Sequence, residues 1–530
     1  MASVASGNGL LNPAGSGTRS PMESFGLQSS NAQKQLPSLR LFVVVCVCCC
    51  SPLLFGFSLC FTSPAQGAME GKAKGKDPEV LPPEGLIVFT ASQFSMYAAL
   101  FNVGAVVGAF TGGPLMERVG RKHALVISGN VHCFAWLANV FTSSPAILTL
   151  LRVLAGIAVG MGSAITPCYI SEVSTISLRG SLGAAHQLSV NLGIFLVNAL
   201  GAYASVVEVE GQTFCNWRLL SLFGLGFALV LSTMAFMPES PKWLASQGRV
   251  QEANLALKML RTGDMTLEEA ELQHIADVCT FVAESEGASV SSTTSMRTHR
   301  LIDYKRCLVV AIGLMAFQQL SGFNAIMMYT NDICAQAGMG NAEFSTMVVM
   351  MAQVVLTMLS CMLVETVGRR SLLQLAGFTM CLSHLGLSYY YLAKEHALWG
   401  PPWLSLLSLS MFVVGYSIGM APIPWIILAE IFPVEVVGTA SSMATAVGWF
   451  CSLVVCWTFH GLQVKLGADG AFMLFAFSCF ACFVFVTALL PETKSKTLEQ
   501  VLWVMRGPSR SIALMDRRIA HIGDPKMLGA

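Results

Sequence analysis

Charged side chains are scarce in this sequence, and their scarcity excludes most soluble proteins. Asp, Glu, Lys and Arg together make up 12% of the 530 residues, where ordinary soluble domains have roughly 25%. The mean hydropathy is +0.63, so a chain of this size cannot cover its surface in water. Disordered proteins are excluded too, because they combine high charge with low hydrophobicity. The class that remains is a membrane protein with several spans.

Three further absences narrow the function. The 31 Lys and Arg nearly balance the 30 Asp and Glu, so no strong basic field indicates a nucleic-acid partner. The 17 cysteines form no spacing typical of a metal site, and many lie in apolar runs, where Cys packs as a small hydrophobe. No set of nucleophile and base is visible. We therefore expect no enzyme activity, no metal and no cofactor.

Long apolar runs are abundant instead, and twelve of them reach about 20 residues, the length that crosses a bilayer. They predict an all-α membrane protein with spans one to six in a first half and spans seven to twelve in a second. The spans lie near residues 39–61, 90–113, 122–142, 147–170, 182–204, 217–237, 306–332, 342–364, 370–393, 402–429, 437–460 and 470–490.

The same runs define the domains that we expect. These are a tail (1–38), a six-helix bundle (39–237), a linker with short helices (238–305), a second six-helix bundle (306–490) and a C-terminal tail (491–530). With both termini inside, 14 of the 31 Lys and Arg fall in inner loops and six lie in or beside outer ones. Cytosolic loops carry this excess, so the tails and the linker are expected in the cytosol.

The two halves repeat each other. A Glu-x-Val-Gly-Arg-basic motif follows span two at Glu117–Lys122 and span eight at Glu365–Arg370, with its glycines 248 residues apart. A second pair of motifs, Glu172 with Gly180 and Glu430 with Gly438, is offset by 258 residues. Two motifs in register are typical of transporters built from parallel repeats, which hold their substrate at mid-membrane between the halves.

Several motifs, in order and between the expected spans, resemble those of one family. They are Gly120–Lys122, Gly368–Arg370, Pro238–Pro241, Pro491–Lys494, Arg152 with Gly156 and Gly160, Pro167 to Gly180, Gln318–Ala325 and Pro422–Trp425. With them the chain resembles a sugar porter of the major facilitator superfamily, similar to the facilitative glucose transporters, over roughly residues 39–500. The resemblance implies a hexose carrier that works by alternating access.

Amide side chains in span seven fit a neutral sugar. A hydroxyl both donates and accepts hydrogen bonds, and so does an amide. Gln318 and Gln319 are adjacent, and Gly322 permits local unwinding that brings Asn324 to the same ligand. The alternative is that these amides join neighbouring helices.

The resemblance adds four residues to the binding site. They are Gln187 in span five, Gln353 in span eight, and two flat apolar faces at Trp425 and Trp449. Met315 and Gly448 stand where glucose-selective relatives often have amides. The preferred sugar therefore stays open between glucose and fructose.

An absence bears on the mode of transport. Proton-driven sugar porters resemble this chain but carry an Asp in span one, paired with the Arg of span four. Here these positions are Ser58 and Arg152, and Arg stays protonated. This favours a passive uniporter. We expect it, separately, to work as a monomer. A proton-coupled hexose or polyol carrier using His132, His186 or His384 and a non-transporting sugar sensor are the alternatives.

Charges at the inner loops predict a gate that closes the inner side. Its members are Glu117, Arg121, Lys122, Arg152, Glu172, Arg179, Glu365, Arg369, Arg370 and Glu430. The alternative is that they only anchor the loops inside. Val437 and Thr366 replace basic residues that the family usually has, which predicts a weaker latch in the second half. The plasma membrane is favoured over an endolysosomal or vacuolar one.

Overall fold

A computed structural model describes most of the chain. The described residues are 36–70, 89–142, 144–175, 178–204, 207–209, 212–262, 272–273, 304–324, 326–327, 342–433, 436–494, 496 and 498–506. Nearly all of them are helical, which confirms the predicted all-α class.

The first half contains a helix at each predicted span. Span one is built from three successive helices, Leu39–Cys48, Cys50–Cys60 and Thr62–Glu70, and so continues beyond its predicted end at residue 61. Spans two to six are Ala91–Val119, Arg121–Phe141, Pro145–Val173, Arg179–Tyr203 and Trp217–Ser232, the last extended by a 3₁₀ turn at Thr233–Phe236. A short antiparallel hairpin, Val207–Val209 with Gln212–Phe214, precedes span six and was not predicted.

The second half has more interruptions. Spans seven to nine are Lys305–Leu320, Ala342–Val367 and Arg369–Glu395. Span ten is Pro402–Gly415, a π turn at Tyr416–Met420, and Ile423–Glu430. Spans eleven and twelve are two helices that together cover Val437–Leu489 and meet at Gly467, whose φ is 75°. Glycine adopts this backbone without a Cβ clash, so a single residue makes the turn where a loop was expected.

Length and hydropathy mark nine helical stretches of the described residues as able to cross a membrane. Spans five, seven and nine fall outside this set. The helix of span seven has only 16 residues, and spans five and nine carry many amide, hydroxyl and basic side chains. Large apolar side chains such as Phe236, Trp457 and Phe477 are exposed, as expected for a surface that contacts lipid.

Two helices of the linker, Pro241–Ser246 and Val250–Leu260, cover one end of the bundle. The indole Nε1 of Trp243 donates to the backbone oxygen of Glu117 at 3.3 Å. Leu36–Pro37 pairs with Arg261–Thr262, and Nη1 of Arg261 donates to the backbone oxygen of Val173 at 2.8 Å. These contacts fix the first part of the linker to the first half, and we name this end of the bundle the linker end. A last helix, Leu498–Arg506, follows span twelve.

Spans two and four pack backbone against backbone. A Cβ added at Gly156 would lie 2.2 Å from the backbone oxygen of Phe101, and one at Gly160 would lie 2.1 Å from that of Ala105. Small residues allow helices in a membrane to approach this closely. The glycines of span four therefore hold the first half together.

Replacing one of these glycines should destabilise the protein. Gly160→Ala forces its methyl group into the backbone of span two, and we expect a loss of roughly 1–3 kcal/mol. Gly226 of span six is the matched control, because a Cβ there meets no atom within 4 Å. In detergent, the midpoint of thermal unfolding should be lower for Gly160→Ala than for the wild type and unchanged for Gly226→Ala. Equal midpoints for the two variants would contradict the packing argument.

Candidate functional site

The buried amide of Gln318 bridges spans seven and ten. Its Nε2 lies 3.0 Å from the backbone oxygens of both Met420 and Ala421. These carbonyls lie at the end of the π turn, and Ala421 N–H is bonded five residues back, to Tyr416 O at 2.8 Å. Such turns leave backbone groups without their usual helical partners and often occur at functional sites. Gln318 supplies the missing donor.

The other two amides of span seven extend this network. Gln319 Nε2 lies 3.4 Å from Gln318 Oε1, and Asn324 Nδ2 lies 3.4 Å from Gln319 Oε1. Asn324 also donates to Ser452 Oγ of span eleven at 3.0 Å. The helix breaks between them at Gly322, where φ is +79°. The structure thus brings the three predicted amides of span seven together.

A buried histidine of span nine, which the sequence suggests only as a titratable group, stabilises the break in span seven. His384 of span nine is fully buried, and its Nε2 lies 2.8 Å from the backbone oxygen of Ser321. Ser321 caps the end of the helix, where carbonyls lack partners within the helix. His384 fills that role from a neighbouring span, and no sequence signal pointed to it.

Polar side chains of spans five and eight meet across the interface between the halves. Gln187 Nε2 donates to Asn191 Oδ1 at 3.1 Å, and Asn191 Nδ2 donates to Thr357 Oγ1 of span eight at 2.8 Å. Asn191 and Thr357 were not predicted. The available signal was an amide one helical turn after Gln187 in an apolar span.

Two of the predicted substrate-binding residues carry buried polar atoms that have no partner within the described part of the chain. They are Gln353 Oε1 and Trp425 Nε1. Leaving such an atom unpaired costs about 1–3 kcal/mol. Gln353 Nε2 has only a weak contact, 3.6 Å from Met327 Sδ. These two side chains are therefore able to bind a ligand hydroxyl without giving up strong contacts.

Trp449 joins the halves in a different way. Its Nε1 donates to Ser163 Oγ of span four at 3.2 Å, and its ring lies 4.9 Å from that of Phe55 and 6.0 Å from that of Phe101. The indole N–H is thus occupied, and one half packs an aromatic side chain against the other.

Arg152 lies apart from the other predicted gate residues. Its Nη1 donates to the backbone oxygen of Ser58 at 2.6 Å, and its guanidinium carbon lies 4.5 Å from the Phe101 ring centre and 5.3 Å from that of Tyr97. No carboxylate pairs with it among the residues that the structure describes. A carbonyl and two aromatic faces surround this buried cation.

The repeated motifs at the linker end build the same ion pair twice. Arg121 Nη2 lies 2.9 Å from Glu172 Oε1 in the first half. In the second half, Arg369 Nη2 lies 3.0 Å from Glu430 Oε1. Ser240 Oγ donates to Glu172, and Thr493 Oγ1 donates to Glu430. Each pair lies within its own half.

Two glutamates outside the predicted site complete these clusters. Glu239 Oε1 accepts from the backbone N–H groups of Arg121 and Lys122, each at 3.0 Å. Glu492 accepts from those of Arg369 and Arg370, also at 3.0 Å. Each carboxylate lies at the N-terminus of a helix, where backbone N–H groups favour negative charge. Their place in the repeated Pro-Glu motifs was the signal that could have identified them.

Two other glutamates bind helix N-termini across the interface. Glu117 Oε1 accepts from Thr439 N at 2.9 Å and from Thr439 Oγ1 at 3.0 Å. Glu365 Oε1 accepts from Gly180 N at 2.8 Å. Thr439 lies in the first turn of span eleven and Gly180 in the first turn of span five, so each glutamate contacts the half to which it does not belong. The linker end is closed by this reciprocal pair.

The remaining gate residues do not behave alike. Lys122 Nζ lies 3.4 Å from Ala235 O, and Arg370 Nη2 lies 2.6 Å from Thr487 O. Both therefore bind the end of a helix in their own half. Arg179 lines a small void beside Glu430 and Trp425. Val437, at the equivalent place in the second half, is buried and apolar.

The chain is similar to known proteins over most of its length. The family model "Sugar (and other) transporter" matches residues 43–505. "Sugar transporter ERD6-like 6" of Arabidopsis thaliana is 35% identical over 485 residues, which are 88% of this chain and 91% of that protein. "Facilitated trehalose transporter Tret1" of Apis mellifera ligustica is 29% identical over 463 residues, 86% of each chain.

A solved structure shows the fold. The proton:xylose symporter XylE, bound to 6-bromo-6-deoxy-D-glucose, aligns with a TM-score of 0.72 and 23% identity over 88% of this chain and 99% of that one. This likeness confirms the predicted major facilitator fold.

Removing the charge of Glu117 should loosen the linker end. Glu117→Gln replaces a charge-assisted contact with the N-terminus of span eleven by a weaker neutral one. The thiol of Cys168, buried next to Ser441 of span eleven, should become accessible more often. We expect its labelling by a thiol reagent, mapped by mass spectrometry, to accelerate about fivefold, equivalent to about 1 kcal/mol.

Two controls accompany this measurement. Glu252→Gln removes an exposed ion pair with Arg249 on a linker helix and should leave the labelling of Cys168 unchanged. Cys482 is buried inside the second half, and its labelling should not change in Glu117→Gln. An unchanged rate at Cys168 would mean that the Glu117 contact does not hold the end closed.

Proposed function

Because this chain belongs to the sugar transporter family of the major facilitator superfamily, we propose that it is a facilitative uniporter of a hexose such as glucose, with fructose as a second candidate. It is a multi-pass membrane protein, and its relatives are transporters, not enzymes. The amide side chains of the predicted site support the choice of substrate. The surroundings of Arg152 support transport without ion coupling.

The predicted amide side chains support a neutral, hydroxyl-rich substrate. Gln187, Gln318, Gln319, Asn324 and Gln353 come from spans five, seven and eight, and they supply donors and acceptors without charge. Trp425 and Trp449 add flat apolar faces for the C–H surface of a sugar. A charged substrate would leave its charge unpaired among such groups.

The single observation that carries the proposal of uniport is the environment of Arg152. Its partners are a backbone carbonyl and two aromatic rings, and the side chain at position 58 is a serine. A proton symporter requires a titratable group that is exposed to each side in turn. Two of the buried histidines, His132 and His384, contact backbone oxygens at 3.1 and 2.8 Å, and no carboxylate is paired with either in the described part of the chain.

The reciprocal glutamate contacts support alternating access. Loop charges that served only as anchors would face water, whereas Glu117 is buried and bound to span eleven of the other half. We propose that these contacts break when the two halves rock against each other. The first half is the bundle of residues 39–237, and the second is the bundle of residues 306–490. The latch of Glu117 relies on a helix N-terminus and a hydroxyl, since Val437 supplies no cation.

Orientation and setting belong to the same proposal. We propose that the linker end and both tails lie in the cytosol, and the excess of basic residues in the inner loops supports this orientation. We propose a monomer in the plasma membrane, with a sugar as its partner and no nucleic acid.

A second candidate function comes from the relatives. The names of several describe facilitated trehalose transporters, and a structural neighbour is a proton:xylose symporter. A disaccharide or pentose substrate, or proton coupling, is therefore the alternative that an experiment should distinguish from hexose uniport.

Counterflow in proteoliposomes tests the substrate, and net sugar uptake into sugar-free vesicles tests the coupling. We expect labelled glucose to exchange in counterflow. We also expect weakly buffered, sugar-free vesicles to show no internal pH change when glucose enters, because no carboxylate of the described residues accompanies Arg152. Trehalose and xylose, tested at equal concentration, should exchange more slowly. Exchange of trehalose alone would favour the second candidate, and sugar-dependent proton entry would contradict uniport.

A carboxylate introduced next to Arg152 should change the pH dependence. Ser58→Asp places a titratable group beside the guanidinium, as in the proton-driven relatives that the sequence resembles. We expect its sugar exchange to depend on pH between 5 and 8, while the wild type and the isosteric control Ser58→Asn do not. If sugar exchange by Ser58→Asp does not depend on pH, the lack of a carboxylate at position 58 does not determine the mode of transport.

A further inference from the structure

His186 of span five is fully buried, and neither of its ring nitrogens has a hydrogen-bond partner within the described part of the chain. A neutral imidazole carries one donor and one acceptor, and buried polar groups are nearly always paired. His132 and His384, buried to the same degree, each contact a backbone oxygen. His186 therefore differs from the other two buried histidines.

The face of span five that carries His186 is turned toward the second half. On this face, Gly180 binds Glu365 of span eight, and a Cβ added at Gly183 would lie 3.1 Å from Ile426 of span ten. His186 follows Gly183 by one helical turn, and its ring centre lies 4.9 Å from that of Trp425, at 43°. The imidazole thus lies in the interface, and its neighbour in the sequence, Gln187, donates to Asn191.

Trp425 presents the same anomaly from the other side. Its Nε1 is buried and unpaired in the part of the chain that the structure describes. One interface therefore holds two unpaired imidazole nitrogens from the first half and one unpaired indole N–H from the second. A purely apolar contact would need none of these three nitrogens. A pair of phenylalanines would fill the space without burying an unpaired polar group.

We propose that His186 is a further substrate-contacting residue, which forms a hydrogen bond with one hydroxyl of the sugar. Trp425 Nε1, on the other half, binds a neighbouring hydroxyl. A hydroxyl donates and accepts at once, so it can pair with either nitrogen of a neutral imidazole. This inference rests on the proposed sugar substrate and is independent of how transport is coupled.

A sugar held in this way couples binding to closure of the interface. When the interface is closed without a sugar, His186 and Trp425 pack against each other and exclude water. Their nitrogens then have no hydrogen-bond partner, which raises the free energy of this state. A bound sugar supplies the missing partners only when both halves approach it. A ligand that satisfies groups of both halves shifts the population toward the state in which they meet.

Binding of deoxy sugars to the purified protein tests this contact. Affinities for D-glucose and its 2-, 3-, 4- and 6-deoxy derivatives would be measured by titration calorimetry on the wild type. We expect one or two of the deoxy sugars to bind about 5- to 10-fold more weakly, as for loss of a neutral hydrogen bond. His186→Phe, which keeps a flat ring, should weaken glucose by a similar factor and remove the penalty for one of those derivatives.

Two further variants keep the test decisive. His186→Gln retains a donor and an acceptor, and it should restore part of the discrimination even if His186→Phe folds poorly. His132→Gln changes a buried histidine of the same half that already has a partner, and it should leave every affinity ratio unchanged. If the ratios of glucose to all four deoxy sugars are the same in the wild type, His186→Phe and His186→Gln, His186 does not contact the sugar.

The same titrations separate this inference from the proposed function. A wild type that binds no hexose contradicts both. A wild type that binds glucose with unchanged ratios in the variants contradicts only the role of His186.

Discussion

The contact between a glutamate and the N-terminus of a helix determines the architecture of the linker end. Within the described ranges it occurs four times, with Glu239 at span three, Glu492 at span nine, Glu365 at span five and Glu117 at span eleven. The first two bind within a half and shape the loops that follow spans two and eight. The other two bind across the interface. The same chemistry therefore builds each half and closes one half upon the other.

Glycine is required where these carboxylates approach the backbone. Gly120 and Gly368 have φ of +92° and +101°, and a Cβ at Gly180 would lie 2.2 Å from Glu365 Oε1. A side chain at Gly180 would keep the carboxylate from the N–H group that it binds. The repeated glycines and the repeated glutamates thus form one structural unit, which explains why the two halves carry both at matching offsets.

The sequence predicted the spans, the repeat and three of the side chains that form hydrogen bonds between the halves, namely Glu117, Glu365 and Trp449. Apolar length identifies a helix in a bilayer, and the repeat identified Glu117 and Glu365 as equivalent. The sequence did not show that the partners of these glutamates are backbone N–H groups, because such partners have no residue signature. His384 was missed for a related reason, since its partner is the carbonyl of Ser321. Arg152 was grouped with the gate by its charge, but its surroundings are aromatic.

The early part of the linker is bonded to the first half, and this decides which half its helices accompany. Trp243 and Arg261 bind the backbone oxygens of Glu117 and Val173, and Leu272 packs in the same small core as Trp243 and Leu257. Glu117 and Val173 both belong to spans of the first half. The two linker helices are therefore a fixed part of the surface of the first half, and a displacement of that half against the other carries them with it.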